Sequence, residues 1–77
     1  MMIVDLVDGD DFRARLIALG IDLPANADPD ESARLAASAH KAVPVDGLPA
    51  LVDELTRRQD IVLPAVREAI ERHLAHL

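Results

Sequence analysis

The sequence predicts an all-α protein, a compact bundle of five short helices, or of four if the first segment is not helical. Its 77 residues include 23 leucines, isoleucines and valines, and these recur mostly at spacings of three and four. The β-branched residues do not alternate cleanly with polar ones, as they would in strands. Capping residues and prolines divide the chain into short segments, and 77 residues supply one core, so we expect a single domain over residues 1–77.

The first segment, "MMIVDLVDGDD", is predicted to form a short helix. Its apolar residues lie three and four apart, at Ile3, Val4, Leu6 and Val7. A strand is the alternative, because the apolar run is too short for periodicity alone to decide. Gly9 is expected to interrupt this element.

The second helix is predicted over "DDFRARLIALG". Its apolar stripe consists of Phe12, Leu16 and Leu19. Asp10 or Asp11 is expected to cap its amino end, where a carboxylate also complements the helix dipole. Gly20 suits a left-handed residue after the helix, with the apolar Ile21 following it.

The third helix has the clearest boundaries in the sequence. Asp28 is predicted as its N-cap, Pro29 as its first residue, and Glu31 occupies the position of a capping-box acid. Val43 precedes Pro44, and a residue before proline is pushed out of the helical region. The helix is therefore predicted over residues 29–42.

Two further helices complete the predicted bundle. In "VPVDGLPALVDELTRRQ" Asp46 is expected to cap the fourth, with Pro49 in the first turn, where a missing N–H costs little. Asp60 is expected to cap the fifth, with Pro64 near the end of its first turn. The fourth stripe is Leu48, Leu51, Val52 and Leu55, and the fifth is Val66, Ile70, Leu74 and Leu77.

The composition argues against several functions. The net charge is −6, with −5 in residues 1–38, and the chain has one aromatic residue, so binding to nucleic acid or to an anionic membrane is not expected. There is no cysteine, which excludes disulfides and cysteine-ligated zinc. The apolar start meets Asp5 too early for a signal peptide, and no run has transmembrane length, so a cytoplasmic location is expected.

The chemically reactive side chains do not form a recognisable catalytic set. Ser32 lies near a helix start and is the candidate for an alternative function, that of an acyl or peptidyl carrier. His73 and His76 are three residues apart and could share a metal, but no third ligand is near in the sequence. We therefore predict a non-enzymatic protein without metal or other cofactor.

A surface for binding other proteins is the remaining expectation. A domain of this size cannot hide all 23 large aliphatic residues, and Ile61, Val62 and Leu63 are consecutive, so at least one should point outward. The predicted apolar patch consists of Leu48, Ile61 and Leu63.

The segment "DGLPALVDELTRR" resembles the Gly-Leu-x-x-Leu-Val helix of bacterial effector-associated domains, most nearly the second type. The matching residues are Gly47, Leu48, Leu51 and Val52. The order of the other predicted elements is also similar, so the resemblance spans nearly the whole chain. It implies a death-like helical bundle that serves as an adaptor in bacterial conflict systems and pairs with related domains to recruit an effector.

The charge distribution suggests how such pairing would occur. The predicted acidic face consists of Asp10, Asp11, Asp30 and Glu31, and the predicted basic face of Arg57, Arg58, Arg67 and Arg72. Opposed faces on one fold lead to head-to-tail association, with a related domain or with a second copy. A small acidic antitoxin or immunity protein that blocks a basic partner is a further alternative.

Overall fold

The structure of the protein, a computed structural model, describes residues 6–58 and 60–75. These residues form four helices: α1 (Gly9–Ala18), α2 (Pro29–Ala42), α3 (Leu48–Arg57) and α4 (Pro64–Ala69), which continues as a π-helical turn over Ile70–Leu74. The all-α class is thus confirmed for the described part of the chain, with four helices rather than five.

The segment before α1 is not helical in its described part. Val7 pairs with Val62 in an isolated parallel bridge. The Val7 N–H donates to the Ile61 carbonyl at 2.8 Å, and the Leu63 N–H donates to the Val7 carbonyl at 3.1 Å. The predicted first helix is therefore wrong at Leu6 and Val7, because these backbone groups bond across the chain. Residues 1–5 of this segment lie outside the described part.

Helix α1 begins earlier than the sequence predicts. Asp8 is its N-cap, and its Oδ1 accepts the N–H of Asp11 at 2.8 Å, so the prediction of Asp10 or Asp11 as the cap is wrong. Gly9 does not interrupt an element but is the first helical residue. At the other end the prediction is confirmed: Gly20 has a φ of 95°, which a side chain would disfavour.

Helix α2 has the predicted boundaries. The Asp28 carboxylate accepts the N–H of Glu31 at 2.7 Å, and Pro29 is the first helical residue. Val43 is extended, with φ −142° and ψ 118°, and ends the helix before Pro44. Each of these outcomes follows from local stereochemistry, which is why the sequence alone predicts them.

Helix α3 begins without the predicted cap. Gly47 is its N-cap, with a φ of 87°, and the structure records no side-chain cap hydrogen bond, so the assignment of Asp46 is wrong. A Cβ at Gly47 would lie 2.9 Å from Cδ2 of Leu19, so α1 packs closely against this turn. The predicted apolar stripe is confirmed, since Leu48 and Leu55 are buried.

The last helix also begins later than predicted. Leu63 is the N-cap of α4 and Pro64 is its first residue, so Asp60 does not cap it. The bridge explains this outcome, because Val62 pairs with Val7, Leu63 is extended with a φ of −64° and a ψ of 149°, and the helix starts only after them. The stripe is confirmed at Val66, Ile70 and Leu74, which are buried, while Leu77 lies outside the described part.

Helix α2 is the centre of the bundle. It packs against α1, α4 and the π-helical turn. Ala33 and Ala36 are fully buried on it, and their small side chains allow the neighbouring helices to approach closely. The largest fully buried side chains around them are Phe12, Leu16, Leu48 and Leu74. None of the described helices has the combination of length and apolar character that crossing a membrane requires.

Candidate interaction surface

The predicted acidic face is partly neutralised within the molecule. Asp10 forms an ion pair with Arg13 at 2.8 Å, and Asp11 forms one with Arg15 at 3.2 Å. Both pairs span one turn of α1 and lie near the surface, where such pairs contribute little to stability. Their carboxylates are therefore less available to a cationic partner than the sequence suggests.

Asp30 joins the predicted acidic face to the predicted basic face. Its Oδ1 lies 2.9 Å from Nε2 of His73 and 3.1 Å from a guanidinium nitrogen of Arg72. The hydrogen bond from His73 is the main reason why the pKa of Asp30 is below its usual range, and the hydrogen bond from Arg72 lowers it further. Desolvation acts in the opposite direction and is outweighed. Asp30 and Arg72 thus contact each other in one protomer, and this contact fastens the start of α2 to the π-helical turn.

The other predicted basic residues are spread over the surface. Arg57 is 77% exposed and pairs with Asp53 at 3.2 Å, one turn earlier on α3. Arg58 is exposed at the end of that helix, and Arg67 is half-buried beside a small cleft. The four arginines therefore do not share one chemical environment, and Arg58 is exposed and forms no ion pair with the described residues.

The predicted apolar patch needs one correction. Leu48 is fully buried, because it is the first residue of the α3 stripe and packs into the core, so it is not part of an exposed patch. Leu63 is 37% exposed and Ile61 is half-buried.

A residue missed by sequence reasoning extends this patch. Leu6 is 53% exposed, beside the bridge between Val7 and Val62. Side chains alternate across an extended segment, and accordingly Leu6 and Leu63 are exposed next to the buried Val7 and Val62, whereas the half-buried Ile61 packs against the core. We call Leu6, Ile61 and Leu63 the bridge patch.

A second surface lies between the loop that follows α1 and the loop that precedes α3. It is a cleft of about 450 Å³, open to solvent, and we call it the acidic cleft. Its apolar walls include Leu19, Ile21, Val43 and Val45, and the carboxylates at its edge are Asp22 and Asp46.

Local structure determines the shape of the acidic cleft. Gly20 turns the chain at the end of α1, and Pro44 directs the chain away from α2. The N–H of Val45 donates to Nδ1 of His40 at 3.0 Å, which ties the second loop to the last turn of α2. Val43 lies between them and is 71% exposed, the largest value among the exposed aliphatic residues of the described chain.

Two similar segments of the sequence form the walls of this cleft. In "GIDLP" and in "VPVDG" an aspartate stands next to aliphatic residues beside a proline, in a segment between two helices. Two such segments become neighbours only if α1 and α2 end on the same side of the bundle. That requirement is tertiary, so the sequence pattern alone does not indicate the cleft.

Ser32 lies in the interior rather than on a surface. Its side chain is fully buried, and its Oγ has no hydrogen-bond partner among the described residues. An enzyme that modifies a serine needs access to the hydroxyl, so this burial argues against the carrier alternative.

Comparisons with protein-family models, with curated proteins and with solved structures gave no match to this chain. In the described part of the chain, no three histidine or carboxylate side chains are grouped in a way that could hold a metal ion. His76, the second member of the predicted histidine pair, lies outside the described residues. The bridge patch and the acidic cleft are therefore the features from which a function can be argued.

Proposed function

We propose that this chain is a non-enzymatic adaptor domain that associates with other proteins and recruits effectors in a bacterial conflict or immune signalling system. The observation that supports this most is the exposure of large aliphatic side chains outside a closed core. Among the described residues these are Leu6, Ile17, Val43 and Leu63, with exposures from 37% to 71%.

The arrangement of these residues favours binding over chance exposure. Single exposed aliphatic residues are ordinary on soluble proteins. Here, however, Leu6 and Leu63 flank one backbone bridge, and Val43 belongs to a concave cleft with further apolar walls. Fully burying one such side chain contributes about 1.5–3 kcal/mol, so two or three of them in one interface would stabilise a complex appreciably.

The resemblance to effector-associated domains supports the choice of partner class. The matching residues Leu48 and Gly47 have structural roles, one in the core and one at the N-cap of α3. The shared motif would then specify how α3 packs, while the exposed residues specify the partner. We accordingly propose related helical domains as the partners, with head-to-tail association through unlike surfaces.

The antitoxin or immunity protein is the second candidate, and the acidic cleft is the observation in its favour. Asp22 and Asp46 are exposed at the edge of an apolar cleft on a chain of net charge −6. Both candidates predict a protein partner, and they differ in what that partner does. Loss of a toxin's activity on binding would favour this second candidate over the adaptor.

Co-purification from the native host tests the proposal. The wild-type chain and a triple serine variant of Ile17, Val43 and Leu63 would be affinity-tagged, and bound proteins identified by mass spectrometry. A matched control replaces the exposed Ala18 and Ala50 by serine. Circular dichroism would establish that all three chains are folded.

We expect the wild type and the control to retain a helical-domain protein that the triple variant loses, and the purified partner to rebind the wild type. The adaptor proposal fails if the chain sediments as a monomer at low salt and retains no helical-domain protein. It also fails if the triple variant retains the same partner with the same affinity as the control.

A further inference from the structure

We propose that the acidic cleft binds a partner segment in which an aliphatic side chain is flanked by lysine or arginine. This inference rests on the proposed function as a protein-binding domain and names the chemistry of its partner. The aliphatic side chain would enter between the apolar walls, and the cations would meet Asp22 and Asp46 at the edge.

The walls of the cleft suit an aliphatic side chain. Leu19 and Ile21 come from the loop after α1, and Val43 and Val45 from the loop before α3. The volume of about 450 Å³ falls within the range of sites that bind ligands, about 300–1,000 Å³. Burying the highly exposed Val43 against a partner would remove apolar surface from water, which is the main favourable contribution to most protein association.

The cleft is held in a defined shape before any partner arrives. Leu19 lies against the turn at Gly47, since a Cβ there would come within 2.9 Å of its Cδ2. Val45 is fixed by its hydrogen bond to His40. A pre-formed site loses less conformational entropy on binding, which favours affinity.

The two carboxylates at the edge specify the charge of the partner. Asp22 and Asp46 are exposed, and neither forms an ion pair within residues 6–58 and 60–75. Lys41, which is close in sequence, does not line the cleft. Lysine and arginine would form charge-assisted hydrogen bonds with these carboxylates, and the net charge of −6 would attract a basic partner over a distance.

A second copy of this chain is a poorer occupant than a basic partner. Two copies repel each other, since each has a net charge of −6. Several of the chain's own cations also already pair with its own carboxylates, namely Arg13, Arg15, Arg57 and Arg72. The charges of the described residues therefore favour a different protein.

The test is an NMR titration of the full-length ¹⁵N-labelled chain with a capped Gly-Lys-Leu-Arg-Gly peptide. Two further peptides serve as probes of the chemistry, one with both cations replaced by glutamate and one with the leucine replaced by serine. We expect shift changes at residues 19–22 and 43–46 with the first peptide, and at least fivefold weaker binding of the other two.

Two cleft variants and one control extend the test. The double variant Asp22→Asn, Asp46→Asn should weaken binding about two- to thirtyfold, the range for two surface ion pairs. Val43→Ser should weaken it too, and because Val43 is exposed this variant should fold normally. The double variant Asp60→Asn, Glu68→Gln removes the same charge at other exposed positions and should bind as the wild type does.

Three results would each overturn the inference. The peptide could bind outside the cleft, or the glutamate peptide could bind equally well, or the cleft variants could bind like the control.

Two other measurements separate this inference from its alternatives. Shift changes at the cleft on concentrating the chain alone would identify a second copy as the occupant. If a native partner co-purifies equally with the wild type and the cleft variants, this inference fails while the adaptor proposal stands. If the chain sediments as a monomer at low salt and no helical-domain protein co-purifies, the adaptor proposal fails whatever the peptide does.

Discussion

Replacing Ser32 by alanine should stabilise the protein, which is an unusual outcome for a change at a fully buried residue. The Ser32 side chain has a relative exposure of 0%, and its Oγ has no hydrogen-bond partner among the described residues. The hydroxyl therefore loses its hydrogen bonds with water on folding and gains none in return. Alanine removes that loss and leaves a void no larger than one oxygen atom.

The expected gain can be separated into two parts. Alanine is the better helix former by roughly 0.5 kcal/mol, a gain that any serine in the interior of α2 would share. Burial of an unpaired hydroxyl costs about 1–3 kcal/mol, a loss specific to Ser32. Ser38 lies on the same helix but is exposed, so Ser38→Ala provides a control for helix propensity alone.

Chemical denaturation and thermal unfolding would measure both variants. Ser32→Ala should increase the free energy of unfolding by about 1–3 kcal/mol more than Ser38→Ala does. For a domain of this size that corresponds to a rise of roughly 4–24 °C in the unfolding midpoint. The reasoning is refuted if Ser32→Ala is no more stable than Ser38→Ala, since the hydroxyl would then have a partner in the folded protein.

Three further predictions concern the carboxylate of Asp30, the turn at Gly47 and the buried side chain of Leu48. Asp30→Asn should lower stability at neutral pH, and the difference from the wild type should disappear as pH falls. The hydrogen bond from His73 lowers the pKa of Asp30 in the folded state. The contribution of Asp30 to the free energy of unfolding is therefore fully present above the pKa of the unfolded state and is lost as the pH falls through the pKa of the folded state. Denaturation at a series of pH values measures this. Gly47→Ala should destabilise by about 1–2 kcal/mol or more, because its φ of 87° disfavours a side chain, and thermal unfolding checks it. Leu48→Ala should cost about 3–5 kcal/mol while Leu63→Ala costs less than 1, since only the first is fully buried.

Matched variants make the first two of these predictions specific. Gly20→Ala has the same backbone penalty at φ 95°, but no atom lies within 4 Å of its new Cβ, so it should destabilise less than Gly47→Ala. Asp22→Asn removes the same charge as Asp30→Asn at an exposed residue that forms no ion pair in the described structure, so at neutral pH it should lower the free energy of unfolding less than Asp30→Asn does. The contacts of Gly47 and Asp30 would be contradicted if Gly20→Ala destabilised more than Gly47→Ala, or if Asp22→Asn destabilised more than Asp30→Asn.

The sequence predicts the elements of this fold that depend on neighbouring residues. The start of α2 at Pro29, with Asp28 as its cap, follows from local stereochemistry, as does its end before Pro44. The apolar stripes of α3 and α4 follow from helical spacing. All of these features require only a few consecutive residues.

The error at the start of α4 lies where distant residues decide the structure. Val7 and Val62 pair across most of the chain, and this bridge delays the start of α4 until Pro64 and leaves Asp60 without a capping role. At α3 the glycine before Leu48 takes the cap position, so Asp46 is one residue too early. A pattern of consecutive residues contains no information on such a bridge.

The sequence predicts the candidate surface less completely than the fold, because the surface also depends on residues that are distant in the chain. The sequence predicts that both Leu63 and Leu48 are exposed; Leu63 is, whereas Leu48 is buried. The contact between Asp30 and Arg72 joins residues that are 42 positions apart, so it could not be read from either local sequence. The acidic cleft likewise forms from two loops that only the packing of α1 against α2 brings together.

Hydrogen exchange on the complex with a co-purified partner tests the central claim most directly, namely that exposed aliphatic residues outside a closed core bind another protein. The account predicts slower exchange on binding at residues 19–22 and 43–46, or beside the bridge patch at residues 6–8 and 61–63, with the core amides of α2 unchanged. Uniform slowing of exchange throughout α2, with no change in those segments, would contradict the claim. Binding would then stabilise the fold as a whole without covering either of the two exposed surfaces.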